Sequence, residues 1–303
     1  MKKLLLILYA FIVLNIVTTP TAQALHTSYA VIFSGGINTG NNHVRYYEET
    51  LRMWQIMTGT LSFDVNNVYV LAADGTDTAV DQSDGVTSSD WSMITDAGGN
   101  IMSGTPENLQ NTLALLSDLM TTEDSFDFWS FDHGGNTTFD PDATTYPYGS
   151  TEDEGYLCGW GGNITDDAFA AWVDPINVMA ESYAFGQCFA GDMADDLMAL
   201  SLGAGQYRFT AWAADWYEPS WGRSWVDAWA DALEVGYRAT WDLGYQAWLN
   251  DASRDTGAGG EHPGWAGDNF DYVTNQPIPE PSTLVLLGTG LSGFIFIKRK
   301  LKK

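Results

Sequence analysis

Hydrophobic and polar positions run along this chain in blocks that switch between the strand period and the helix period. Ser28 to Ser34 is a continuous apolar run closed by Gly35-Gly36, as expected for a parallel strand covered on both faces. Asn42 to Met57 puts Tyr47, Leu51 and Trp54 on one helical face and stops near Gly59. Val68 to Ala73 predicts the next strand, which ends at Asp74-Gly75, and a polar loop rich in Gly and Asp fills Thr76 to Gly104. Thr105-Pro106 then offers an N-cap and a first-turn proline to a helix whose apolar face is Leu109, Leu113, Leu116 and Met120. The aromatic strand Phe126 to Phe131 ends at Asp132-His133-Gly134-Gly135, and a long acidic loop follows. Ile164 to Trp172 predicts a capped helix, and Ser182 to Gln187 a strand ending at Cys188. After these come a helix over Met193 to Leu202 and a strand over Gln206 to Ala213.

This alternation predicts an α/β three-layer sandwich, a mostly parallel central sheet with helices on both faces and right-handed crossovers. No repeat of 20 to 50 residues is visible, which excludes a solenoid or propeller. Between Trp212 and Trp265 lie eight of the thirteen tryptophans. Trp221, Trp225, Trp229, Leu233 and Tyr237 recur every four residues, the spacing of a helix packed on a sheet. An aromatic platform that stacks on sugars is the other use of such a row.

The two ends read differently. Residues 1–24 hold Lys2-Lys3, an apolar run from Leu4 to Val17 and Ala22-Gln23-Ala24, the form of a signal peptide cleaved before Leu25. At the other end, Pro279-Glu280-Pro281 precedes an apolar segment, Ser282 to Ile297, and the basic tail Lys298-Arg299-Lys300-Leu301-Lys302-Lys303. The tail resembles the PEP-CTERM sorting signal of Gram-negative bacteria, and the resemblance implies handling by an exosortase. Residues 25–275 are then one exported domain, and 276–303 the sorting segment. Membrane contact is expected only through the terminal segments.

Setting the ends aside sharpens the charge. Seven of the thirteen basic residues lie in them, so six arginines face the chain's 39 acids. That field disfavours nucleic acid and anionic lipid as partners. Two cysteines in an oxidising compartment make no disulfide scaffold, although a Cys158–Cys188 bridge is open to an exported chain.

The chemistry gathers at two strand ends. A parallel α/β sheet presents its reactive groups beyond the carboxyl ends of its strands, so His133 and Cys188 can face one crevice. A thiol needs an acid/base and donors for the oxyanion before it can cut an amide. Cys188 is the nucleophile in this reading and His133 the acid/base. Each also has a plain structural use, as a turn histidine and a small buried hydrophobe. No cofactor is called for. Asp140-Pro141-Asp142 and Glu152-Asp153-Glu154 are acidic but lack the order and glycine of an EF-hand, so no metal ligand set is assigned.

His133-Gly134, followed 55 residues later (188 minus 133) by Gln187-Cys188-Phe189-Ala190-Gly191, resembles the caspase-like cysteine peptidases. These include caspases, legumains, gingipains and separase; the likeness is nearest the legumain-type branch and spans roughly residues 28 to 265. The resemblance implies that the backbone N–H groups of Gly134 and Cys188 form the oxyanion hole. By the same likeness Asn42 orients the histidine, with His43 as the one-residue alternative, and Arg45 falls near a substrate-pocket arginine. The loop carrying Asp215 and Glu218 would form a specificity wall, where either acid can select a basic side chain. Gly186 stands where the family has an acidic residue, which argues against asparagine specificity. His262, in a Gly-rich loop, reads as structural. The expected activity is cysteine-type endopeptidase, with a protein or peptide as substrate. The rival is a non-catalytic surface or matrix protein that binds cations or polysaccharide on the same scaffold.

Overall fold

A computed structural model describes residues 26–137, 154–215, 218–220, 222–237, 241–254 and 261–268. Thr27–Thr274 form one compact unit. The assigned signal peptide, the sorting segment and the acids Asp140, Asp142, Glu152 and Asp153 lie outside the described residues.

Strands β1 (Ser28–Ser34), β2 (Val68–Ala72), β3 (Asn100–Met102), β4 (Ser125–Ser130), β8 (Ala180–Phe185), β9 (Tyr207–Trp212) and β10 (Gly264–Asp268) build a seven-stranded sheet. Its order is β10-β9-β8-β4-β1-β2-β3. All neighbours are parallel except β10, which runs antiparallel to β9. Side chains alternate across the pleat: Ala30 and Ile32 of β1 enter one core, Val31 and Phe33 the other. The first core is covered by α1 (Val44–Gln55), α6 (Arg223–Glu234) and α7 (Trp241–Asn250). The second lies under α3 (Pro106–Leu119), α4 (Asp166–Val173) and α5 (Ala190–Ala199). These are the three layers the alternation predicts.

Local chemistry sets the helix starts. Thr105 Oγ1 accepts from the Asn108 N–H at 3.2 Å, with Pro106 in the first turn, and Thr165 Oγ1 accepts from the Ala168 N–H at 3.3 Å. Trp225 and Trp229 stack with centroids 5.2 Å apart and are almost fully buried, so this part of the tryptophan row packs α6 onto the sheet. These two rings are closed to a sugar; Trp221 lies outside the described residues.

Several parts of the fold have no counterpart in the predicted elements, among them α7 and the antiparallel edge strand β10. The polar loop after β2 carries a short helix, α2 (Ser92–Asp96), and the edge strand β3. The segment after His133 is no mere loop: β5 (Gly134–Asn136), β6 (Gly155–Gly159) and β7 (Gly162–Thr165) form a small antiparallel sheet.

Candidate active site

Strands β4 and β8 are direct neighbours, with Ser130 opposite Phe185. The residues that leave them, Phe131-Asp132-His133 and Gly186-Gln187-Cys188, therefore emerge side by side at one sheet edge. Gln187, buried, accepts from Ser130 Oγ at 2.8 Å and ties the two ends together. Gly186 packs at the same place, where a Cβ would meet Val226 Cγ2 at 2.5 Å and the Ser130 carbonyl at 3.1 Å. An acidic side chain in that position has no room.

His133 is half-buried, and its Nε2 lies 3.0 Å from the main-chain oxygen of Asn41. A carbonyl only accepts, so Nε2 carries the proton and the lone pair of the neutral ring falls on Nδ1. Burial pulls the imidazole pKa below its usual value; the Asn41 carbonyl opposes this and the Arg45 charge adds to it. The ring also meets Tyr46 edge-on at 5.2 Å and His43 at 5.5 Å.

Asp132 sits beneath. Its carboxylate accepts from the Gly36 N–H and, at 2.6 Å, from the backbone N–H of His133. It makes its bond to the histidine main chain and so fixes the strand end while leaving the imidazole to Asn41. Complete burial raises its carboxyl to about 7.

Cys188 is free, as is Cys158, so no disulfide joins them. Its Sγ lies 3.9 Å from the Ser220 carbonyl oxygen. Burial raises the thiol pKa and the Glu261 charge adds to this. The backbone groups of Ser220, Gly134 and Cys188 itself oppose the rise. The resemblance assigns two of these backbone groups, the amides of Gly134 and Cys188, to the oxyanion. Gly134 has no room for a side chain: a Cβ would stand 2.3 Å from the Cys188 carbonyl oxygen. Cys158 is buried, donates its N–H to the His133 carbonyl at 3.2 Å, and has its thiol pushed up to about 12.

Backbone strain marks the same edge. Ile37 after β1, Ala73 after β2 and Phe189 after Cys188 have φ of 59°, 41° and 55°, the left-handed region that non-glycine residues avoid. At Phe189 this conformation turns the chain from the strand into α5 immediately behind the thiol.

The remaining site expectations fare unevenly. The side chain of Asn42 does not reach the histidine: it is buried and donates from Nδ2 to the Asp81 carbonyl at 3.0 Å. The cause is the turn before α1, where the Asn41 and Asn42 N–H groups share the Asn38 carbonyl and expose Asn41 O to the ring. His43 instead meets Ser83 Oγ at 3.1 Å. Arg45 stands beside the site, its guanidinium 4.7 Å over the Tyr46 ring and Nη2 donating to the Tyr46 hydroxyl at 3.0 Å.

The loop bearing Asp215 and Glu218 does flank Cys188: the Phe189 N–H donates to the Glu218 carbonyl at 2.9 Å, and Gly191 N–H to Ala214 O at 3.0 Å. The Glu218 carboxylate is already engaged, by the Asp215 and His262 backbone N–H groups and by His262 Nδ1 at 2.7 Å. It therefore shapes the loop, and His262 is its partner, with structural work to do.

Among the described residues no helix is long and apolar enough to cross a membrane, and no three His, Cys, Asp or Glu side chains converge to hold a metal. Among solved structures the chain is similar to protein GSU0716 of Geobacter sulfurreducens, with a TM-score of 0.44 and 9% identity over 80% of this chain and 93% of that one. No curated protein matches. Residues 277–300 match the PEP-CTERM protein-sorting motif, which exosortase-type sorting enzymes recognise. The chain is thus an exported protein, sorted to the cell surface or envelope in bacteria.

Proposed function

We propose that this is an exported cysteine endopeptidase of the caspase-like group, working at the surface or extracellular matrix of a Gram-negative bacterium. Cys188 is the nucleophile and His133 the acid/base. The observation that carries the reading is the pairing of β4 with β8, which brings His133-Gly134 and Cys188 to one edge of the sheet.

At rest both groups are neutral, because the thiol pKa is raised and the imidazole pKa lowered. The thiol proton therefore passes to the lone pair on His133 Nδ1 as Sγ approaches the scissile carbonyl, and Nδ1 then gives it to the departing amine. The N–H groups of Gly134 and Cys188 receive the negative oxygen of the tetrahedral adduct. Water then attacks the thioester, giving a proton to His133 Nδ1, which returns it to the departing Cys188 sulfur as the acyl group leaves as a carboxylic acid that ionises in solvent. Asn41 and Asp132 position the histidine, and the loop with Asp215 and Glu218 borders the substrate side chain before the cut bond.

A peptide-library cleavage screen with the full chain tests this. Wild type is expected to cut a restricted set of bonds, and Cys188→Ala and His133→Ala to cut none at matched folding. Cleavage that survives Cys188→Ala, or a folded wild type that cuts nothing, sinks the proposal in favour of a binding protein.

A further inference from the structure

Three acceptor oxygens stand without a donor in the turn beyond β2: Asp74 Oδ1, Asp81 Oδ2 and Gln82 Oε1. Asp81 is 0% exposed and Gln82 1%, so bulk water does not serve these two, and Asp74 is half-buried. Their remaining polar atoms are used on one residue. Asp81 Oδ1 accepts from the Ser89 N–H at 2.7 Å, and Gln82 Nε2 donates to Ser89 Oγ at 3.3 Å. Both backbone N–H groups go to the Thr87 carbonyl, at 3.2 and 3.1 Å, so the turn closes on itself with two oxygens left over. Asp74 lies within electrostatic reach: burial and the charges of Asp81 and Asp77 raise its carboxyl to about 6. An orphaned buried acceptor costs roughly 1–3 kcal/mol, and a second carboxylate beside it adds repulsion. Both costs vanish if a positive charge sits among the oxygens.

We propose that Asp74, Asp81 and Gln82 hold a divalent cation, Ca²⁺ in preference to Mg²⁺. Two carboxylates match the double charge, the amide supplies a neutral oxygen, and water completes the shell. Irregular oxygen sets of this kind suit the flexible coordination of Ca²⁺, whereas Mg²⁺ demands a near-octahedral cage. Few ligands place the affinity in the range of extracellular modules, about 10⁻⁴ to 10⁻³ M, appropriate to an exported chain.

The site also has a route to the histidine. Asn42 Nδ2 donates to the Asp81 carbonyl at 3.0 Å, the Ser83 N–H to the Asn42 carbonyl at 2.8 Å, and Asn41 holds His133 Nε2. The cation thus braces the turn on which the imidazole support rests. Binding itself requires nothing of the peptidase reading.

The test is calorimetric titration and thermal unfolding of the full chain, stripped with EDTA and given CaCl₂. One saturable site is expected, with the unfolding midpoint rising about 3–6 °C at ten times Kd. In Asp74→Asn the binding heat and the calcium-dependent rise disappear, while the EDTA midpoint equals or exceeds that of wild type because the repulsion is gone. Asp81→Asn loses binding too, and Asp118→Asn, on the exposed side of α3, keeps it. The proposal is overturned if calcium gives no rise, if Asp74→Asn rises as wild type does, or if magnesium at equal concentration matches calcium. The last two results mean only screening of a net charge of −26.

Discussion

Gly134→Ala strikes the candidate site at its narrowest point. The new Cβ would stand 2.3 Å from the Cys188 carbonyl oxygen and 2.6 Å from Gln187 Cγ. An ordinary van der Waals contact is about 3.5 Å, so the two strand ends must part by roughly 1 Å. Neither can yield freely: Gln187 is buried and tied to Ser130, and Cys188 leads directly into α5 through the strained Phe189. Overpacking of this kind costs about 1–3 kcal/mol, or about 2–12 °C in unfolding midpoint for a domain of this size. The same shift displaces the Gly134 N–H that the proposed mechanism assigns to the oxyanion. Loss of one oxyanion donor typically lowers kcat by about 10²–10³, with KM changing far less. Differential scanning calorimetry reads the first effect and steady-state cleavage of a library-selected peptide the second. An alanine variant with wild-type midpoint and wild-type kcat refutes the packing argument and the donor role together.

Other expectations follow from the charges. Because the Cys188 pKa is raised, alkylation by iodoacetamide, followed by mass spectrometry, should climb about tenfold per pH unit from 6 to 8; a plateau below pH 7 means a resting ion pair instead. Asp132 and Asp166, both raised to about 7, favour their neutral forms in the fold, so their stabilisation is complete near pH 4 and lost as pH rises to 7. His43 and His133, shifted down, lose theirs as pH falls below 6.5, which tempers the gain. The unfolding midpoint should therefore be higher near pH 5 than at pH 7.5, by an amount equivalent to a few kcal/mol, and the reverse order contradicts these burials. Glu181→Gln breaks the buried pair with Arg208, whose Nε lies 2.8 Å from Glu181 Oε2 and whose Nη1 caps the end of α5 at Leu197 O and Leu200 O. It should cost about 3–5 kcal/mol in chemical denaturation, and a loss under 1 kcal/mol means the charge finds another partner.

Much of this arrangement is legible in the residues because the signals are local. Threonine caps at 105 and 165, the double-faced apolar runs of β1 and β2, and the aromatic strand before His133 each specify an element within a few residues. What the pattern leaves open is which strands are neighbours. That β4 stands between β1 and β8 depends on crossovers, so the carboxyl-end rule, and not spacing, is what brings His133 and Cys188 toward one crevice in the sequence. The small sheet is not legible in the sequence because Gly134-Gly135-Asn136 has poor strand propensity and its partner β6 lies beyond the acidic loop. Asn41 acts through a carbonyl, which every residue owns, so the segment was recognisable and the orienting atom was not. The Glu218–His262 pair joins loops 44 residues apart, and no periodicity connects them.

The most direct measurement of the central claim is covalent capture. The full chain is treated with a pool of peptidyl acyloxymethyl ketones, electrophiles that a thiol attacks only when an oxyanion site and an acid/base hold it in register. Peptide mapping is expected to place the adduct on Cys188, leave Cys158 unmodified, and find no adduct in folded His133→Ala. Equal modification of both cysteines, or capture at Cys188 that is indifferent to His133, contradicts a working thiol–imidazole pair.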